Sequence, residues 1–409
     1  MTMKMIDVDL QAQIDAQLLE QGAFTVLEFL IDSGRLLHSD YDGWRRHEIS
    51  YLDEVLMGSK EKIRLQIEAA AGYARSIGLV QQLQTFHGWS SDARDGSVEP
   101  LRISADRQLH ELIASRYVPV QSAPQMDLFF DNPVVALTNG IVRALSARNL
   151  GETQRQLDRL YAQAPNHADL AAFDRLLAAL GHVDIPIDDP RRELDFLLEI
   201  TPTAKRLLGS QARDLLAPLW RQLATALGNR TFAADAPALH RSFALSQSQD
   251  WPGVSDSVHR EPEWWLHAPL CLRLAQSSFY QQLRMEALIA WFHLCWRAPA
   301  QAADVLDHRR QPDTGIAAWW QRFVDSEADS ETALTAADFP AWLLLHEQGL
   351  ALQLAVDLPT GNTPAEEHYR CVHRWIQARR ANRHSDELAL RKVLQAGHPT
   401  LFRYLKQSV

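Results

Sequence analysis

Apolar residues recur along most of this chain at intervals of three and four, the spacing that gathers them on one face of an α-helix. In the first hundred residues the pattern predicts a helix over Asp9–Leu19, halted near Gly22, and a short one over Val26–Ile31, capped by Thr25 and ended by Gly34. Ser39 is the expected cap of a third, Asp40–His47. Lys60–Ile77 is the clearest, with Ile63, Ile67, Ala70, Ala71 and Ala74 on one face and Gly78 as its stop. Ser90, Ser91, Asp92, Asp95, Gly96 and Pro100 form a polar linker, followed by a helix over Arg107–Tyr117 that Pro119 and Pro124 break. The run Met126–Phe130 reads as a strand or a segment packed on its neighbour. Helices are then expected over Val134–Ala147, Glu152–Ala164, Ala168–Leu180, Arg191–Ile200, Thr203–Leu208 and Gln211–Leu227. Leu239–Gln247 is another, and Val254 to Val258 begins a shortened one before Pro262.

The pattern is densest from Glu263 to Pro299. Leu266, Leu270, Cys271 and Leu274 form one stripe; Ala287, Trp291, Leu294 and Cys295 form a second after a polar turn, and Pro299 closes the segment. Burying one such Leu or Trp stabilises by about 1.5–3 kcal/mol, so two helices joined this closely are expected to pack on each other and on a further neighbour. The spacing Cys271-x2-Leu274-Ala275-x2-Ser278, then Ala287-x3-Trp291, then Pro299, resembles a tetratricopeptide repeat. Its second half fits the pattern; in the first half Cys271, Ala275 and Ser278 stand where that family has Trp, Gly and Tyr. Ala389-x3-Val393 followed by Pro399 has the same shape near the C-terminus.

The fold class expected is all-α: an N-terminal helical domain over 1–92, a linker with one short helix over 93–132, and an irregular, tetratricopeptide-like α-solenoid of helical hairpins over 133–409. The length of 409 residues suits two to three domains, and 46% hydrophobic with 22% charged residues is ordinary for a soluble protein. The start MTMKMIDVDL has no signal-peptide core, so a cytoplasmic protein is expected. Three cysteines without close spacing argue against a disulfide framework. The preference for Arg over Lys suggests a GC-rich bacterial genome.

Charge changes the picture at the two ends. The net charge is −10, yet residues 368–409 carry nine basic groups against Asp386 and Glu387, while residues 1–100 carry nine basic against sixteen acidic. That acidity opposes a DNA-reading role for the short N-terminal helices, since neutralising phosphate supplies most of such binding. The basic end reads first as the solvated face of amphipathic helices, then as a dock for an acidic surface, then as a nucleic-acid contact.

No catalytic motif is present: neither HExxH, G-x-S-x-G, GxGxxG nor a phosphate-binding GK[ST] loop occurs. His293-x-Cys295 and Cys371-x-His373 place their side chains about 200° apart on a helix, unlike zinc pairs at three or four residues, so no metal or other cofactor is expected. Cys271 and Cys295 read as core residues. His259, Glu261, Glu263 and His267 cluster in what reads as an exposed turn.

Nine of the 12 tryptophans fall between Trp251 and Trp375. In the adjacent pairs Trp264–Trp265 and Trp319–Trp320, the two rings of each pair point different ways, so one of each is either exposed in a groove or packed on the next helix. The expected function is a non-catalytic scaffold or adaptor for a protein or peptide partner. Its partner-binding candidates are Trp264, Trp265, Trp319, Trp320, Arg374, Arg379, Arg380 and Arg383. Two alternatives remain: a nucleic-acid-associated protein using the basic C-terminal helices, or an enzyme whose site no motif reveals. No run is apolar enough to predict a membrane span.

Overall fold

The structure, a computed structural model, describes residues 8–89, 100–119, 133–183, 185–307, 313–327, 334–359 and 361–407. It is all-α in class. The chain divides into two compact units, Met1–Asp250 and Trp251–Val409. No helix among the described residues is long and apolar enough to cross a membrane.

The first unit opens with α1 (Val8–Gln21), α2 (Val26–Asp32), α3 (His38–Arg45) and α4 (Lys60–Ser76). The stripe Ile63, Ile67, Ala70, Ala71 and Ala74 is buried in one core with Ile14, Phe29, Trp44 and Tyr117. Gly34 and Gly78 end α2 and α4 with φ of +66° and +84°, a conformation open to glycine at little cost. Helix α3 begins one residue before Ser39, which therefore lies inside it and is not the cap.

Of the segment expected as a linker, 93–132, the described residues 100–119 place Ile103, Ile113, Ala114 and Tyr117 in this core. The segment's helix α5 (Arg107–Ile113), capped by Asp106 accepting from the Gln108 amide at 2.8 Å, stops short of Tyr117. Ser115–Pro119 is a strand, the centre of a three-stranded antiparallel sheet with Phe24–Thr25 on one side and Leu79–Leu83 on the other; Tyr117 pairs with both Phe24 and Gln81. Tyr117 is buried against Phe24, a tertiary contact that overrides the helical spacing. A two-stranded pair, Phe86–His87 with Pro100–Leu101, lies beside it in sequence. Most of the expected linker 90–100 and all of Met126–Phe130 lie outside the described residues.

Six further α-helices follow among the described residues of the unit: α6 (Pro133–Ser146), α7 (Leu150–Gln163), α8 (Leu170–Gly181), α9 (Pro190–Leu208), α10 (Ala212–Leu227) and α11 (Arg241–Gln247). Two helices were expected where α9 runs unbroken through Pro202. Pro202 denies an amide to the Leu198 carbonyl, but Leu198 lies on the exposed face, where water can replace it. Pro218 in α10 does the same to the Asp214 carbonyl, and there the partner is protein: Arg148 Nε donates to it at 2.6 Å.

That arginine belongs to a buried ionic knot. The Asp42 carboxylate, fully buried on α3, accepts from Arg46 at 3.0 Å, from Arg148 at 3.0 Å, and from Arg221 of α10. Arg148 also lies over the Trp89 ring, 3.8 Å from its centroid. Burial alone would raise the Asp42 carboxyl; the guanidinium groups of Arg148 and Arg221 outweigh it and hold the group below the ordinary carboxylate range.

The second unit contains α12 (Trp251–His259), α13 (Ala268–Tyr280), α14 (Arg284–Arg297), α15 (Pro299–Asp307), α16 (Thr314–Glu327), α17 (Phe339–His346), α18 (Pro364–Arg380), α19 (His384–Gly397) and α20 (Pro399–Gln407). Helices α13 and α14 pack on each other with Leu270, Cys271, Leu274, Ala287, Trp291, Leu294 and Cys295 all buried, as their spacing predicts. Leu266 departs from the first stripe: it sits in a 3-10 turn over Trp264–Leu266 and is exposed. Glu366, fully buried in the first turn of α18, accepts from the Thr363 amide at 2.7 Å and hydroxyl at 3.1 Å, from the Gly361 amide at 3.0 Å, and from Arg297 at the end of α14. The repeat-like spacing near the C-terminus fails as a buried stripe: α19 buries Leu394, while Ala389 is exposed and Val393 is 61% exposed.

Asp42→Ala is expected to leave buried guanidinium groups without their anion and to destabilise the protein by about 3–5 kcal/mol. Urea unfolding reads this as a lower midpoint; a loss below about 1 kcal/mol would show that the knot does not hold the unit together.

Candidate functional site

The tryptophans separate into core and surface. Trp320 is buried against Phe323 and Phe339, and its Nε1 donates to Asp307 Oδ1 at 2.6 Å. It is a core residue, which removes it from the partner-binding candidates. Trp319 is half-buried, edge-on to Trp342, with the Arg322 guanidinium over its other face. Trp264 and Trp265 are both half-buried in the turn before α13, their rings perpendicular at 6.0 Å. The Trp265 carbonyl accepts from Arg297 Nε at 3.3 Å, so this turn is fastened to α14.

Beneath Trp264 lies His293 on α14, fully buried, with neither ring nitrogen hydrogen-bonded. The edges and faces of Trp264 and Trp296 meet it at 5.4 and 5.3 Å between centroids, which leaves its N–H only aromatic faces as acceptors. Burial, assisted by the nearby Arg297, lowers its pKa to about 4. The nearby thiols are inert for the same reason: burial pushes Cys271 up to about 12 and raises Cys295 further. His259 is engaged with Glu286, Nε2 to Oε1 at 2.9 Å, on the rim of this aromatic group.

The C-terminal arginines are not one patch. Arg374 and Arg383 come together in a groove of about 520 Å³ between α18, α19 and the segment at Val356–Asp357, with Gln377, Ala378, Asp386, Ala389 and Leu390 completing its lining. Arg374 reaches Asp357 at 3.1 Å and Arg383 reaches Asp386 at 3.3 Å, all four side chains at least half exposed. Exposed pairs of this kind are worth about 0–1 kcal/mol, so either guanidinium can exchange its partner for another carboxylate. Val393 follows Ala389 and Leu390 by four and three residues on α19, with its side chain exposed. Arg379 is turned away, its guanidinium over the Trp375 ring at 5.4 Å. Arg380 is exposed at the end of α18, outside the groove lining.

Charge alone marked four arginines; it could not say which would share a surface. The helical spacing from Arg374 to Gln377 and Ala378 places those three on one face of α18, a signal present in the sequence. Asp357, across the groove, carried none. No family model, curated protein or solved structure matches the chain.

Because the folded state resists protonating His293, lowering the pH from about 6.5 towards 4 favours the unfolded chain, where the imidazole titrates normally. His293→Phe removes an unpaired buried polar group of similar shape and is expected to be neutral or stabilising at pH 7. Its advantage over wild type should grow by on the order of 3 kcal/mol between pH 7 and pH 4, measured by urea unfolding at each pH. An unchanged difference would show that the ring is protonated in the fold.

Proposed function

We propose that this chain is a non-catalytic interaction protein, built of tetratricopeptide-like helical hairpins, that receives an acidic, partly apolar peptide segment of a partner protein in the groove between α18 and α19. The observation that carries the reading is the lining itself. Two arginines held only by exposed partners stand beside the apolar Ala389 and Leu390. A peptide with carboxylates on one side and a large apolar residue on the other satisfies both at once, the arrangement by which helix and groove recognition usually works. The packed, buried stripes of α13 and α14 support the repeat-like reading. Half-buried Trp264, Trp265 and Trp319 add aromatic surface of the kind enriched at binding hot spots.

Nucleic-acid binding draws on the same positive end, where residues 368–409 hold nine basic groups. The apolar lining at Ala389 and Leu390 gives a phosphate backbone nothing to contact, which favours a partly apolar peptide over a nucleic acid there.

A displayed library of random peptides selected against the full chain should enrich sequences pairing Asp or Glu with a large apolar residue. Those peptides should bind Arg374→Glu/Arg383→Glu at least about tenfold more weakly, the equivalent of one lost charge-assisted contact. Equal binding to the double variant, or enrichment without acidic residues, contradicts the proposal.

A further inference from the structure

Three ligand-type side chains spaced thirty residues apart in sequence meet within the second unit: Asp338, His368 and His398. Asp338 ends the 3-10 turn that leads into α17, His368 lies in the second turn of α18, and His398 directly precedes α20. Their donor atoms all lie within 4.8 Å of one another.

The carboxylate is held from behind. Its Oδ2 accepts from the Thr335 amide at 2.9 Å and from the Thr335 hydroxyl at 3.0 Å. That leaves Oδ1 facing both imidazoles, 3.1 Å from His398 Nε2 and 3.9 Å from His368 Nδ1. The two rings are perpendicular, with centroids 4.7 Å apart, so they approach the carboxylate from different directions. His368 Nδ1 is enclosed and has no hydrogen-bond partner. At 3.9 Å it stands too far from Oδ1 for a hydrogen bond. Two ligands on one tetrahedral zinc ion sit about 3.3 Å apart, so this ring must move inward by roughly half an ångström to share an ion with Oδ1. The side chains of His368 and His398 are 20% and 18% exposed, which gives an ion a path from solvent.

The geometry points to a divalent transition-metal site, best suited to Zn²⁺, with Asp338 Oδ1, His368 Nδ1 and His398 Nε2 as its protein ligands and a fourth position open to water. Two imidazoles and one carboxylate are the donors that borderline ions prefer, and they are too few in oxygen for Ca²⁺. The inference is independent of the peptide groove. It departs from the sequence-based expectation of no metal, because close spacing along one helix was the pattern sought and these ligands come from three separate elements.

His398 gives the site a distinctive consequence. Its Nδ1 accepts from the Leu401 amide at 3.2 Å, so without metal the ring proton sits on Nε2 and points at Asp338. Coordination at Nε2 requires that proton to leave Nε2 and another to take up Nδ1; the ring stays neutral and the Leu401 amide loses its acceptor. Metal loading therefore exchanges a cap of α20 for a coordinate bond.

The test is calorimetric titration of the full chain with Zn²⁺, together with the visible spectrum of its Co²⁺ form. Wild type should bind one ion whose affinity falls at least about tenfold in each of His368→Ala, His398→Ala and the near-isosteric Asp338→Asn. The Co²⁺ bands should weaken in all three, and hydrogen exchange at the Leu401 amide should quicken on loading. The Asn variant guards against misfolding, as it keeps an oxygen for Thr335. Absence of binding, or binding and spectra unchanged in the variants, would leave the cluster as a hydrogen-bonded helix junction only and overturn the assignment.

Discussion

A carboxylate removed from water must meet a cation in the fold or it will not stay charged, and each unit of this protein contains such a group. In the first, Asp42 accepts from Arg46, Arg148 and Arg221. In the second, Glu366 takes Arg297 together with the amides of Gly361 and Thr363. These contacts fix which helices meet where, since a buried charge tolerates little displacement of its partner. The apolar stripes supply most of the favourable burial, but many registers would bury them; far fewer bring three guanidinium groups to one carboxylate.

The same chemistry divides the arginines by role. Arg148, Arg221 and Arg297 are structural: partly or largely buried, each spent on an internal acceptor. Arg374 and Arg383 pair only with exposed aspartates in a groove, where the pairs are weak and exchangeable. A protein so rich in arginine uses the residue for both purposes, and solvent exposure of the partner decides which.

Much of the helical body was legible in the sequence because burial and helical spacing agree. Ile63 to Ala74 and Ala287 to Cys295 are buried where period predicts. What escaped depended on partners distant in the chain. Leu79–Leu83 shows almost no burial alternation, so nothing local marks it as a strand; its pairing with Ser115–Pro119 defines it. Pro202 read as a break between two helices, yet water can serve the carbonyl it frees; Pro218 lies inside a helix expected whole, and Arg148 takes up the carbonyl freed there. Val393 had the spacing of a core residue and faces solvent, because α19 turns Leu394 inward instead. The groove was half visible, through Arg374 and Arg383, while Asp357 and the separation of Arg379 needed the fold.

The division between internal and exchangeable arginines can be observed directly from the side-chain Nε–H signals of the full chain in NMR. Arg148 and Arg297, which donate through Nε to the Asp214 and Trp265 carbonyls, should give slowly exchanging signals that an acidic, partly apolar peptide leaves in place. Arg374 and Arg383 should exchange rapidly in the free protein, then shift and become protected when that peptide is added. Protection of Arg374 and Arg383 before any peptide is present, or a response confined to the buried arginines, would contradict this division and the binding role drawn from it.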